Sequence, residues 1–272
     1  MGEESILSGE AHCRAEIDLP GSQEALINEV AATGTSIVLV VMAGRPLTLG
    51  SVLDKVSAVL YAWHPGTMGG PAIIDLLFGV AMPSGKLPVS FPRLVGQVPI
   101  YYARKNTGRP PSHENITHID EIDGRAAQTS LGMSAFHLDA GFTPQFPFGF
   151  GLSYTHFDYR EFERSAESIA MGETITLSAT VQNCGSREAE EVVQLYIRDL
   201  AGNVTRPVRE LKGFRRVPLA PGESKRVSFE IHTDELAFHN RKMELVTEPG
   251  GFHAWIGGDS NAHLWTEFEI RE

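Results

Sequence analysis

The sequence has no long apolar run. Its longest, Ile37 to Ala43, falls far short of the roughly 20 residues a membrane helix needs, so no membrane-spanning segment and no membrane partner are expected. Basic residues are the minority, with 23 Lys and Arg against 34 Asp and Glu and a formal net charge of -11. That balance excludes a nucleic-acid footprint, and an anionic membrane surface would repel the chain. Cysteine is scarce. Cys13 and Cys184 have no close spacing and no accompanying Cys/His set, which points to free thiols rather than a disulfide or zinc site. His113 and His118 flank a polar loop, but further ligands are not evident, so neither a metal nor any other cofactor is expected. Met1-Gly2-Glu3-Glu4 has neither the basic start nor the apolar core of a signal peptide.

Two catalytic loops are missing as well. Gly79 to Leu87 has one residue too many for a phosphate-cradling G-x-x-x-x-G-K-[ST] and a Leu after the lysine. Gly151-Leu152-Ser153-Tyr154-Thr155 lacks the last glycine of a nucleophile elbow. What is present, 42% hydrophobic and 21% charged over 272 residues, suits a globular chain with material for two cores.

The stretch from Ala62 to Pro92 organises the first part of the chain. An apolar segment (Ala58 to Trp63) runs through a Pro/Gly turn into an apolar-periodic run from Pro71 to Phe78, then leaves through Pro83-Ser84-Gly85-Lys86. Strand, glycine-rich corner, helix and tight return make one unit of an α/β layer. Upstream, Gly2 to Pro20 reads as a charged loop. A helix is expected from Gly21 or Ser22 to Thr33, with Ala25, Leu26, Val30 and Ala31 on one face. Ser36 to Met42 reads as a strand buried on both faces, and a second helix is expected near Leu47 to Lys55. Arg45 follows the first strand, where it either faces a substrate pocket or pins a loop through backbone carbonyls. With only two parallel strands before Phe91, the sheet is expected to leave apolar surface and an unpaired edge open.

Val98 to Phe146 is polar and irregular, and beyond Phe146-Pro-Phe-Gly-Phe-Gly151 the apolar period becomes two. Ile175, Leu177, Ala179 and Val181 alternate with polar residues, as do Val193, Leu195 and Ile197, then Val227, Phe229 and Ile231, then Phe252, Ala254 and Ile256. About seven short strands separated by turns describe a β-sandwich. The fold class expected is α/β plus all-β. Trp255 and Trp265 read as lone strand tryptophans, more often packing than a sugar platform.

The stretch PGTMGGPAIIDLLFGVAMPSGKLPVSFP, together with NTGRP (Asn106 to Pro110), FPFGFGLSYTHF (Phe146 to Phe157) and RPVRELKGFRRVPLAPGES (Arg206 to Ser224), resembles the carboxyl-side part of glycoside hydrolase family 3, the β-glucosidase group. The resemblance implies that residues 1–105 are the carboxyl-terminal part of an α/β layered sandwich domain. It implies an irregular active-site-side loop and linker over 106–157, and a fibronectin type III-like domain over 158–272. It also implies retaining hydrolysis of a β-linked oligosaccharide or glycoside and a periplasmic or secreted full-length enzyme; a homodimer is a partner state it allows.

In this resemblance Ser8-Gly9-Glu10-Ala11, with Arg14 four positions on and Asp18-Leu19-Pro20 before a helix, makes Glu10 the acid/base candidate. The bland alternative is a solvated carboxylate, and Glu3 and Glu4 are its competitors. Asn106, Arg109 and Asp139 are implied lip residues for substrate. The family nucleophile is an aspartate commonly followed by tryptophan, in a barrel preceding the layered domain, and no Asp-Trp occurs here. The chain is therefore expected to be a part lacking that barrel and inactive by itself. A non-catalytic structural or carbohydrate-interaction module, or a truncated reading frame, are the other readings of the same residues.

Overall fold

Val38–Val41 (β1) and Ala58–Tyr61 (β2) pair in parallel, in register from Val38 against Ala58 to Val41 against Tyr61. The chain start adds to this sheet. The Met1 amino group donates to the Val40 carbonyl at 2.8 Å, Met42 N–H to the Met1 carbonyl and Glu3 N–H to the Met42 carbonyl, both at 2.9 Å. The computed structural model describes residues 1–272 as two units. Met1–Ala81, Val89–Ile100 and Pro111–Phe146 form the first, and Met82–Pro88, Tyr101–Pro110 and Pro147–Glu272 the second.

In the first unit the core gathers Leu19, Ile27, Leu39, Val41, Ala43, Leu47, Leu49 and Val52. The helix Gln23–Ala32 (α1) forms where periodicity placed it, with Ser22 at the N-cap position making no side-chain cap. Its buried face differs from the expected one. Ile27 is buried, whereas Leu26 and Val30 are exposed and, with Met1, Ile37 and Val38, line an open apolar groove of roughly 330 Å³. The Gln23 side-chain amide sets this rotation, pairing with both the N–H and the carbonyl of Gly2 at 2.7 and 2.8 Å.

The helix expected over Leu47 to Lys55 is a single 3-10 turn, Leu53–Lys55. Leu47 and Leu49 are both buried at a spacing of two, the period of extended chain. Thr48 between them pairs with the loop ahead of α1, its N–H donating to the Ile17 carbonyl at 2.9 Å. Tertiary pairing overrides helix propensity here.

The second helix, Gly69–Leu77 (α2), starts at the glycine corner. Gly66 holds φ +71, and a Cβ on Gly69 would lie 2.7 Å from the Pro65 ring, so both positions need glycine. Ile74, Leu77 and Phe78 are exposed. Downstream, Phe91 bridges Phe146, and the buried Gln97 side chain donates to the carbonyls of Ala140 and Thr143.

The second unit contains ten strands where the turn signals suggested about seven. They are Phe157–Arg164 (β3), Ser168–Ala170 (β4), Thr174–Asn183 (β5), Ala189–Asp199 (β6), Glu210–Leu219 (β7), Ser224–His232 (β8), Phe238–His239 (β9), Leu245–Val246 (β10), Gly250–Gly257 (β11) and Leu264–Arg271 (β12). The added ones are short: β9 and β10 pair only with each other, and β4 lies parallel to β12. A five-stranded sheet, β4-β12-β11-β6-β7, faces a three-stranded one, β3-β5-β8. The alternating residues of β5, β6, β8 and β11 meet in one core with Leu219, Phe268 and Ile270. Replacing Phe252, which stacks on Phe268 at 5.2 Å, by alanine is expected to cost about 3–5 kcal/mol, read as a lower denaturation midpoint.

Buried polar groups in this unit are paired. Asn183, fully buried, accepts from Thr155 and donates to the carbonyls of Arg187 and Leu219. Lys86 donates to the Gly151 carbonyl at 2.9 Å and to Glu191 at 3.2 Å, and Tyr159 donates to the same carboxylate at 2.7 Å. Burial holds the Tyr159 phenol well above its ordinary pKa.

Candidate active site

The segment from Glu3 to Asp18 is irregular chain held by charges. Glu3, with a fully buried side chain, accepts from Arg14 at 2.7 Å and from Arg45 at 3.0 Å, one carboxylate oxygen to each. A buried carboxylate persists only with such partners. The two guanidiniums then reach the backbone. Arg45 donates to the Leu7 carbonyl at 2.5 Å and the His12 carbonyl at 3.1 Å, and Arg14 donates to the Asp18 carbonyl at 3.1 Å. Leu7 and His12 are the two feet of the turn that carries Glu10.

The turn itself is tight. His12 N–H donates to the Gly9 carbonyl at 3.2 Å, and Ala11 takes φ 62, a left-handed conformation seldom used by residues with a Cβ. Glu10 lies at the tip, exposed to solvent. Gly44, at the end of the strand side, is packed under this loop: a Cβ there would lie 2.5 Å from Ser8 Oγ and 2.6 Å from His64 Nε2. Ser8, Gly44 and the exposed His64 therefore converge beside the Glu10 turn. Tyr61 fixes the other side of Arg45, donating its hydroxyl to the Arg45 carbonyl and accepting from Leu47 N–H. Burial raises the Tyr61 phenol to about 12, so it is a neutral donor at every ordinary pH.

Asp18 closes the loop, accepting from the Thr48 hydroxyl. Its carboxyl is pushed up, first by burial and then by Glu24 and Glu16. A carboxyl whose folded-state pKa is raised favours folding while protonated, and that contribution is lost as pH rises through the raised pKa. Asp18→Asn is accordingly expected to leave the melting temperature unchanged near pH 3 and to raise it at pH 7. The gain should be under about 1 kcal/mol, because the site is partly solvated. Thermal scans of both proteins at the two pH values check this.

Of the residues singled out in the sequence, Glu10 and Arg45 are brought together by the carbonyl grips just described. Of the two roles open to Arg45, the structure shows it engaged as the loop pin. Asp139 is exposed at the tip of a hairpin in the first unit, where His137 and Gly141 exchange both backbone hydrogen bonds. Asn106 and Arg109 belong to the second unit, half-buried and exposed respectively, just after Lys105 bridges Pro207. The buried Glu3 was weighed in the sequence only as a rival to Glu10, and Ser8, Gly44 and His64 were missed. They are far apart along the chain and nothing local marks them.

Residues 1–154 match the family described as glycosyl hydrolase family 3 C-terminal domain, and residues 191–260 match the fibronectin type III-like domain. The chain is 41% identical to a periplasmic β-glucosidase of Salmonella typhimurium over 99% of its own length and 34% of that protein's. It is 38% identical to a β-xylosidase of Formosa agariphila, over 96% of this chain and 33% of the relative. Among solved structures, a β-glucosidase of Listeria innocua in complex with glucose superposes with a TM-score of 0.89 at 35% identity, covering all of this chain and 36% of the other. The chain thus spans about a third of the length of these relatives. It belongs to glycoside hydrolase family 3, of which it carries the α/β C-terminal domain and the fibronectin type III-like sandwich.

Proposed function

We propose that the chain is the carboxyl-side part of a retaining β-glycosidase acting on terminal β-D-glucosyl residues, and that Glu10 is its general acid/base. The observation that carries this reading is the clamped turn: Arg45 grips the carbonyls of Leu7 and His12, and Glu10 stands between them with its carboxyl free. A general acid must be held in one place yet keep its proton for the substrate. Glu3 does not suit that role, since its two oxygens are committed to two arginines.

Retention needs a second carboxylate about 5–5.5 Å from the first. The nucleophile would come from the two thirds of the relatives' length that this chain does not span, and the same facing surface would desolvate Glu10 as an acid requires. Asn106, Arg109 and Asp139 are proposed to contact substrate hydroxyls, and the full-length enzyme is proposed to be periplasmic or secreted. The test is hydrolysis of aryl β-glucoside and β-xyloside by the chain alone and in a chimera where it replaces the matching third of the Salmonella relative. Activity in the chimera only is expected. Strong turnover by the isolated chain would overturn the division of labour.

A further inference from the structure

The outer face of the five-stranded sheet carries an aromatic ledge that no part of the preceding account uses. On β11 and β12 the residues Phe252, Ala254, Ile256, Phe268 and Ile270 point into the core, so the alternate positions His253, Trp255, Trp265 and Glu267 point outward. Register places Trp255 directly opposite Trp265 and His253 directly opposite Glu267. The His253 ring lies 5.6 Å from Trp255 and 4.9 Å from Trp265, centroid to centroid. The two tryptophans, ten positions apart along the chain, are therefore one cluster rather than two lone packing residues.

The ledge is rigid and open. Arg209 covers Trp255 with its guanidinium 4.3 Å from the ring and is itself tied to the carbonyls of Ser260 and Ala262. Trp265 is 51% exposed, a costly arrangement for the largest apolar side chain unless something stacks on it. Its rim is polar: Glu267 and Glu269 are exposed and Arg198 on β6 lies opposite His253.

The geometry points to a carbohydrate-binding surface, in which Trp265 and Trp255 stack on pyranose rings of a neutral oligosaccharide while His253 and Glu267 bond to its hydroxyls. A pyranose has an apolar C–H face and a hydroxyl-bearing edge, which is the pairing this ledge offers. An anionic ligand is opposed by Glu267, Glu269 and a net charge of -11. A protein partner needs roughly 800 Å² from each side, whereas the apolar part here is two indoles bounded by charge. Burial and Arg198 hold the His253 imidazole below its ordinary pKa, so it is neutral and both donates and accepts. This site is independent of the role of Glu10.

The experiment is a titration of the 272-residue chain with cellotetraose and with laminaritetraose, followed by intrinsic fluorescence and by calorimetry. Two of the three tryptophans in the chain sit on the ledge, and Trp63→Phe removes the third as a control. A saturable change is expected, with Trp265→Ala weakening affinity about tenfold or more, equivalent to about 1.4 kcal/mol, at unchanged near-UV spectrum and melting temperature. His253→Ala should weaken it severalfold. No response to either sugar up to about 10 mM, or equal binding by Trp265→Ala, would overturn the proposal. So would a change in sedimentation in Trp265→Ala without any sugar effect, which would make the ledge a contact between two copies of the chain.

Discussion

In the chimera with the Salmonella relative, Glu10→Ala is expected to lower kcat on a β-glucoside with a poor leaving group by about 10²–10⁴-fold. The size of the loss should depend on the leaving group. An aryl glucoside whose phenolate departs unaided does not need the proton that Glu10 supplies, so formation of the covalent intermediate is nearly spared. Hydrolysis of that intermediate still needs a base to activate water. The enzyme should then stall as the glycosyl adduct, giving a fast burst followed by a slow steady rate. Azide, which attacks without losing a proton, should restore turnover and yield the β-glycosyl azide. A merely structural role for Glu10 predicts neither leaving-group dependence nor azide rescue. Equal loss on all substrates would refer the effect to folding of the loop.

Removing Glu3 should have the largest effect on stability. Its carboxylate is fully buried between Arg14 and Arg45, whose side chains are about a fifth exposed. Glu3→Ala leaves two guanidiniums facing each other across the vacated space, and breaking such a pair is expected to cost about 3 kcal/mol. The loss is confined to the first unit, so calorimetry should show its transition moving down while that of the β-sandwich stays in place. Glu3→Gln keeps the shape and one acceptor and should cost less. In the chimera Glu3→Ala should also reduce kcat through misplacement of Glu10, with KM for the substrate changing little. An unchanged first transition in Glu3→Ala would show that the arginines hold the loop without it.

Much of the fold was legible because its periods are local. The alternation of Ile175, Leu177, Ala179 and Val181, and of Phe252, Ala254 and Ile256, is a property of the pleat, and every one of these residues is in the core. The corner at Gly66 and Gly69 and the start of α2 were legible for the same reason. What was misread depends on distant partners. Leu47, Leu49 and Val52 suit a helix until Thr48 pairs with Ile17, and the rotation of α1 is set by Gln23 bonding to Gly2. The Glu10 loop could be located through its resemblance to a known family, but its support could not, because Glu3, Arg14 and Arg45 meet only once β1 and the chain start are paired. The tryptophan ledge was invisible because register, not sequence, sets Trp255 against Trp265.

The measurement that tests the central claim most directly is β-glucoside hydrolysis by the chimera with and without Glu10→Ala, in the presence of azide. The account predicts that the alanine variant is nearly inactive in water and forms the β-glycosyl azide when azide is added. Undiminished hydrolysis by Glu10→Ala, or an inactive variant that azide leaves inactive on an activated substrate, would contradict it.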